Sequence, residues 1–230
     1  MTRRDGRVPG RRGLIVAIEG PSASGKTAAA RALARARGAR LLAEAFDRGR
    51  GRFPLAWAGP DGLERIERRL LRRETGRWAE ALRIARTGRD VVLDTATWGP
   101  LHYTRGLAEL GIAPRAVALR IARADAAARA SGHLGSPDRT AYLDLPRAVR
   151  RRRARRSRRH RPWAIYLRHE AVGRWERRRY LGPWGRRHGI VRVRPDPRQG
   201  PATLAARLGR VLFRPVQRGR RGGRRHRATL

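Results

Sequence analysis

At 230 residues the chain is long enough for one α/β domain with a full core and short for two. It has no cysteine, which excludes disulfides, thiolate metal sites and cysteine nucleophiles, and no apolar run long enough to span a bilayer, so a cytoplasmic location is expected. A formal charge of +39 attracts any polyanion, yet all but one of the 57 basic residues are arginine, and so complete a bias reads as codon pressure on the whole chain more than as selection for one binding face. The exception is Lys26. Where nearly every replaceable lysine has become arginine, the survivor marks a place where a planar guanidinium fails and a compact ammonium is needed.

Taken in chain order, residues 1–12 hold five arginines and no apolar periodicity, and they predict a disordered basic tail. Residues 13–213 then alternate short apolar runs with longer helical patterns, the signature of βα units around a mainly parallel sheet. The strand candidates are 14–18 (LIVAI), 39–43 (ARLLA), 90–94 (DVVLD), 140–145 (TAYLDL) and 189–193 (GIVRV). Continuous apolar character in the first and third suits strands buried on both faces. Helices are expected at 25–37, 61–87 with a break near Gly76, 100–110, 115–131, 146–159, 163–181 and 201–213. The run 117–121 also fits a strand, but its alanine-rich continuation favours helix. Residues 214–230, with seven arginines and three glycines, predict a second disordered basic tail.

Between the first strand and first helix lies GPSASGKT at positions 20–27, which fits G-x-x-x-x-G-K-[ST] in the setting its mechanism requires. For this composition a chance match is expected about once in a thousand such chains. Gly20 and Gly25 allow backbone conformations in which the loop through Pro21, itself without an N–H, turns the amides of Ser22, Ala23 and Ser24 and their neighbours around phosphate oxygens, and the following helix adds free N-terminal amides. Lys26 then reaches the β- and γ-phosphates, and the Thr27 hydroxyl is placed to bind the Mg2+ that bridges them in ATP. Asp94, ending an apolar strand, is the expected second magnesium-binding group. Glu44 ends the second strand candidate, so it emerges on the same sheet edge, where it can accept a proton from an acceptor hydroxyl or orient a magnesium-bound water. A surface salt bridge to one of the many arginines is the alternative. Glu19 adjoins the loop and reads as structural; Asp47 and Arg48 are weaker candidates on the loop after Glu44.

Ten arginines crowd the fifteen residues 147–161, where one or two can close over a transferring phosphoryl group. Arg151 and Arg155 are the expected lid arginines, in a lid of about 147–165. The tryptophans, Trp57, Trp98, Trp163, Trp175 and Trp184 among them, are better explained by packing than by base stacking. The six histidines show no metal-ligand spacing.

With these residues in view, the chain resembles the thymidylate-kinase and deoxynucleoside-kinase branch of P-loop kinases. The similarity runs through IEGPSASGKTAAARALA, VVLDTATWGPLHYTRGL and PDRTAYLDLPRAVRRRRARR, and spans 14–213 loosely. It implies a three-layer P-loop NTPase fold with a mainly parallel five-stranded sheet and an Arg-rich lid, with ATP and Mg2+ as cofactors. It also implies phosphoryl transfer to a nucleotide, nucleoside or similar small acceptor, and by position Glu44 resembles the acid that faces the acceptor. The chain departs from the pattern at Thr95, where the Asp-Arg pair has its arginine, at Ser22 in place of a loop aspartate, and at Ala45 in place of a proline. The expected partners are therefore ATP and a small-molecule acceptor, with a homodimer compatible and no membrane. The alternative is a nucleotide-gated nucleic-acid-binding P-loop ATPase using the basic surface.

Overall fold

The computed structural model describes residues 12–45, 59–156 and 163–214, with the backbone alone for 163–166. The expected tails lie almost wholly outside the described residues, as do Asp47, Arg48, Trp57 and the stretch 157–162 of the expected lid.

Five strands form one all-parallel sheet in the order β2-β3-β1-β4-β5: β1 (Ile15–Glu19), β2 (Arg40–Leu42), β3 (Val91–Asp94), β4 (Arg139–Leu143) and β5 (Ile190–Val193). β1 is central and every one of its residues is buried, as its unbroken apolar run requires of a strand covered on both faces. Its register pairs Ile18 with Asp94 on one side and Glu19 with Tyr142 on the other. The exits of β1, β3 and β4 are thereby brought side by side. All five predicted strands are present, within two residues of their expected ends.

One sheet face is covered by α1 (Lys26–Arg37) and α8 (Pro201–Leu212). Ala29, Ala30, Leu33 and Ala34 from α1 and Leu204, Ala205, Leu208 and Leu212 from α8 meet Val16, Ile18, Val92, Ala141 and Leu143. The other face takes Leu71, Trp78, Ala81, Ile84 and Ala85 of α2 (Gly59–Arg86), together with Tyr180 of α6 (Trp163–Leu181). A smaller cluster joins Leu63 to Leu107 of α3 (Gly99–Glu109), Val117 of α4 (Arg115–Ala130) and Val172. Val117 and Ile121 are buried within α4, which settles the ambiguous run as helix. α5 (Arg147–Arg156) follows β4. Among the described residues no helix is long and apolar enough to cross a membrane.

Two expectations are corrected. α2 runs unbroken through Gly76 for 28 residues, although an interior glycine costs about 1 kcal/mol relative to alanine. The cost is offset because Trp78 and Ala81 bury on the sheet and Arg77 pairs with Glu74 across the same turn. A short helix missing from the sequence reading, α7 (Pro183–Arg187), is started by proline in its first turn after Gly182.

Candidate active site

The loop after β1 turns back on itself through three positive φ angles: Gly20 (151°), Ala23 (63°) and Gly25 (89°). A Cβ on Gly20 would sit 2.9 Å from the Ser24 Oγ and 3.1 Å from the Leu143 carbonyl, so only glycine fits there. Within the loop the Ser24 N–H donates to the Pro21 carbonyl (3.1 Å), and Ala29 is the first helical amide to find an acceptor, on Gly25 (3.0 Å). The amides of Gly25, Lys26 and Thr27 therefore have no backbone acceptor among the described residues, and they stand at the positive end of α1. Ser24 Oγ is likewise buried with no hydrogen-bond partner there. The junction of loop and helix therefore presents a run of unsatisfied donors.

Lys26 opens α1 and lies among four acidic side chains. Burial pulls its ammonium toward neutrality, but Glu44, Asp94, Glu19 and Glu176 outweigh that and raise its pKa, so it remains charged. The four acids arrive from three strand exits and α6. Asp94 is the last residue of β3 and 1% exposed, and neither carboxylate oxygen has a hydrogen-bond partner among the described residues. Glu19 ends β1; burial lifts its carboxyl to about 7 against the Ala96 N–H, which donates to its Oε1 at 2.8 Å. The Tyr180 hydroxyl donates to the same oxygen at 3.3 Å. Burial also raises Glu176 to about 8, with Glu19 adding to the shift and Lys26 opposing it. Gly173, one turn earlier on α6, has room against Pro21 that a Cβ would narrow to 3.2 Å, which seats this helix on the phosphate loop.

Two parts of α2 fix the neighbouring strand exits. The Arg77 guanidinium is fully buried and donates to the carbonyls of Asp94 (3.1 Å), Thr95 (3.0 Å) and Ala96 (3.4 Å), while its Nε donates to Glu74 (2.8 Å). This clamp holds Thr95 at φ 69°, a left-handed conformation that a β-branched residue adopts only under constraint. Arg73 donates to the Ala45 carbonyl (3.3 Å) and the Ala45 N–H donates to Glu74, so the backbone beside Glu44 is held as well.

α5 divides its arginines. Arg151 and Arg147 both pair with Glu170 of α6, at 2.8 and 2.9 Å; burial alone would raise that carboxyl, but the two guanidiniums hold it at about 2. Arg153, on another side of α5, donates to the Ser24 carbonyl (3.4 Å) and the Pro197 carbonyl (3.2 Å) and so touches the phosphate loop. Arg155 is exposed. Among the predicted residues the fold thus gathers Gly20 to Thr27, Glu44 and Asp94 in one place, with Arg151 turned toward Glu170. Sequence reasoning passed over Glu176, Arg77 and Arg153 and gave Glu19 a structural part. Trp98 and Trp175 are buried, and Trp98 packs with His102, Tyr180 and Trp184, so packing accounts for both.

No protein-family model and no curated protein matches the chain. Solved structures do share its fold. A deoxyadenosine kinase from M. mycoides with bound dCTP superposes with a TM-score of 0.66 at 11% identity, over 87% of this chain and 99% of that one. The same enzyme with bound dATP gives 0.64 at 12% identity, over 87% and 100%. Thymidylate kinase from Candida albicans gives 0.58 at 14% identity, over 88% and 92%. At these identities the likeness is one of fold.

Proposed function

We propose that the chain is a P-loop kinase that transfers the γ-phosphoryl group of ATP to a nucleoside, a nucleotide or a similar small acceptor. The observation that carries this reading is a cradle of free amides and one charged lysine, faced by four acidic side chains from three parallel-strand exits and α6. The solved kinases of the same fold support it.

The loop amides and Lys26 grip the β- and γ-phosphates and compensate the charge that builds on them during transfer. Thr27 and Asp94 would hold Mg2+. The fit rests on Asp94, whose two buried oxygens lack hydrogen-bond partners among the described residues, and the remaining coordination would come from phosphates and water. When bound, Mg2+ neutralises charge on the phosphate oxygens. Glu44 accepts the proton of the acceptor hydroxyl as its oxygen bonds to the γ-phosphorus and the bridge to ADP breaks. Arg153 closes the loop from above, Arg151 braces α5 through Glu170, and Arg155 is the second expected lid arginine. The nucleic-acid alternative rests on charge alone.

The test is a panel of nucleosides, nucleoside monophosphates and small hydroxyl metabolites incubated with the full chain and Mg-ATP, with products resolved by chromatography. One acceptor class should yield a phosphorylated product in step with ADP, and Lys26→Ala should abolish both. Normal turnover by Lys26→Ala, or ADP release with every acceptor left unmodified, overturns the proposal.

A further inference from the structure

A second cavity opens beside α5 and α6 at the exits of β4 and β5. It is half open to solvent with a volume of about 740 Å³, within the range of small-ligand sites, and none of its described lining residues belongs to the phosphate loop. Among the described residues, seven arginines line it with a single acid, Asp144. That acid is already spent: Arg177 donates to it at 2.6 and 2.9 Å and Arg192 at 2.7 Å, a pairing that orients both guanidiniums. Arg147 is engaged by Glu170. Arg174, Arg178 and Arg194 have no carboxylate partner among the described residues.

In a chain this rich in arginine the number alone says little; the state of Arg150 says more. It is 4% exposed, and its Nε donates to the Leu145 carbonyl (3.3 Å). One terminal nitrogen, Nη1, is buried with no hydrogen-bond partner among the described residues. Burying a guanidinium with an unmade hydrogen bond is unfavourable, and solvated surface arginines avoid it. Arg150 is itself among the residues that line the cavity.

We propose that this cavity binds a small ligand carrying two or more linked phosphate groups, at a site separate from the phosphate loop. Several guanidiniums around one space match a compact polyanion, whose oxygens take paired N–H donors in the planar geometry that arginine offers. Leu145, Pro146 and Pro195 supply an apolar side against which a nucleotide base can rest. The ligand would tie Arg147 and Arg150 of α5 to α6 and β5, and α5 also carries Arg153 to the phosphate loop.

The experiment is calorimetric titration of the full chain with inorganic tripolyphosphate, then with ATP, at fixed physiological salt. Wild type should take up two equivalents and Lys26→Ala should keep one. Arg174→Ser/Arg178→Ser should weaken that remaining binding at least tenfold, and Arg150→Met should do the same while retaining the wild-type melting temperature. A charge-matched control on α1, Arg31→Ser/Arg35→Ser, should change it less than twofold. Tighter binding of ATP than of tripolyphosphate by Lys26→Ala identifies a nucleotide as the ligand, and equal binding identifies the phosphate chain. Equal weakening by the control and pocket pairs, or loss of all binding with Lys26→Ala, overturns the proposal.

Discussion

Two regions along one sheet edge carry opposite arrangements of charge. At the exits of β1 and β3, acids from four elements face one ammonium; at the exits of β4 and β5, seven arginines surround one carboxylate. Against a net charge of +39 the arginine cluster is what composition supplies anyway, whereas four of only 18 acids converging on the sole lysine runs against it. The lesson is that residue counts must be weighed against the chain's own background. In the acidic region the number of groups is informative; in the basic one it is the buried, unsatisfied nitrogen of Arg150.

The strongest way to break this contrast is Lys26→Arg, which keeps the charge and changes only its shape. If the acidic region is a phosphoryl-transfer site, turnover should fall roughly 10³-fold, about 4 kcal/mol in barrier, while tripolyphosphate binding in the second cavity stays within twofold. Steady-state kinetics and calorimetry on the one variant read both regions at once. A smaller effect, about 3 kcal/mol lost in urea unfolding, is expected for Arg77→Met, which leaves Glu74 buried without its partner and frees the carbonyls of 94–96. Adding Glu74→Gln should recover part of that loss. An unchanged midpoint would mean that the strand exit carrying Asp94 is held by something else.

The smallest effect comes from a buried acid outside both regions. Glu67 on α2 is raised from 4.5 to about 8 by burial alone. The folded state therefore keeps its proton where the unfolded state has lost it, so this group's contribution to stability falls as pH climbs from about 4.5 to about 8 and is flat above. Glu67→Gln should match wild type at pH 5 and exceed it by about 2 kcal/mol at pH 8, as read by thermal unfolding across pH. A wild-type curve without that slope would also undercut the raised acids Glu19 and Glu176, which depend on the same burial effect.

The parts legible in the sequence were those set by neighbours along the chain. The loop motif, its flanking strand and helix, and Asp94 and Glu44 at strand ends are all local patterns, and parallel pairing then brings the strand ends together. Glu176 was not legible, since it sits mid-helix among arginines and meets Lys26 only because Gly173 lets α6 rest on Pro21. Arg153 was missed for a related reason. Ten arginines in fifteen residues look alike until the helix phase is fixed, and that phase turns Arg151 to Glu170 and Arg153 to Ser24. Gly76 misled because propensity was weighed without the burial that surrounds it.

The solitary ε-amine has a practical corollary. An amine-acylating reagent meets a single side-chain amine in the entire polypeptide, seated in the crevice itself, so protection of Lys26 from modification reports directly on whatever occupies that crevice. The facing carboxylates keep that amine protonated and slow to react, and an acidic neighbour lost to mutation would register as faster labelling.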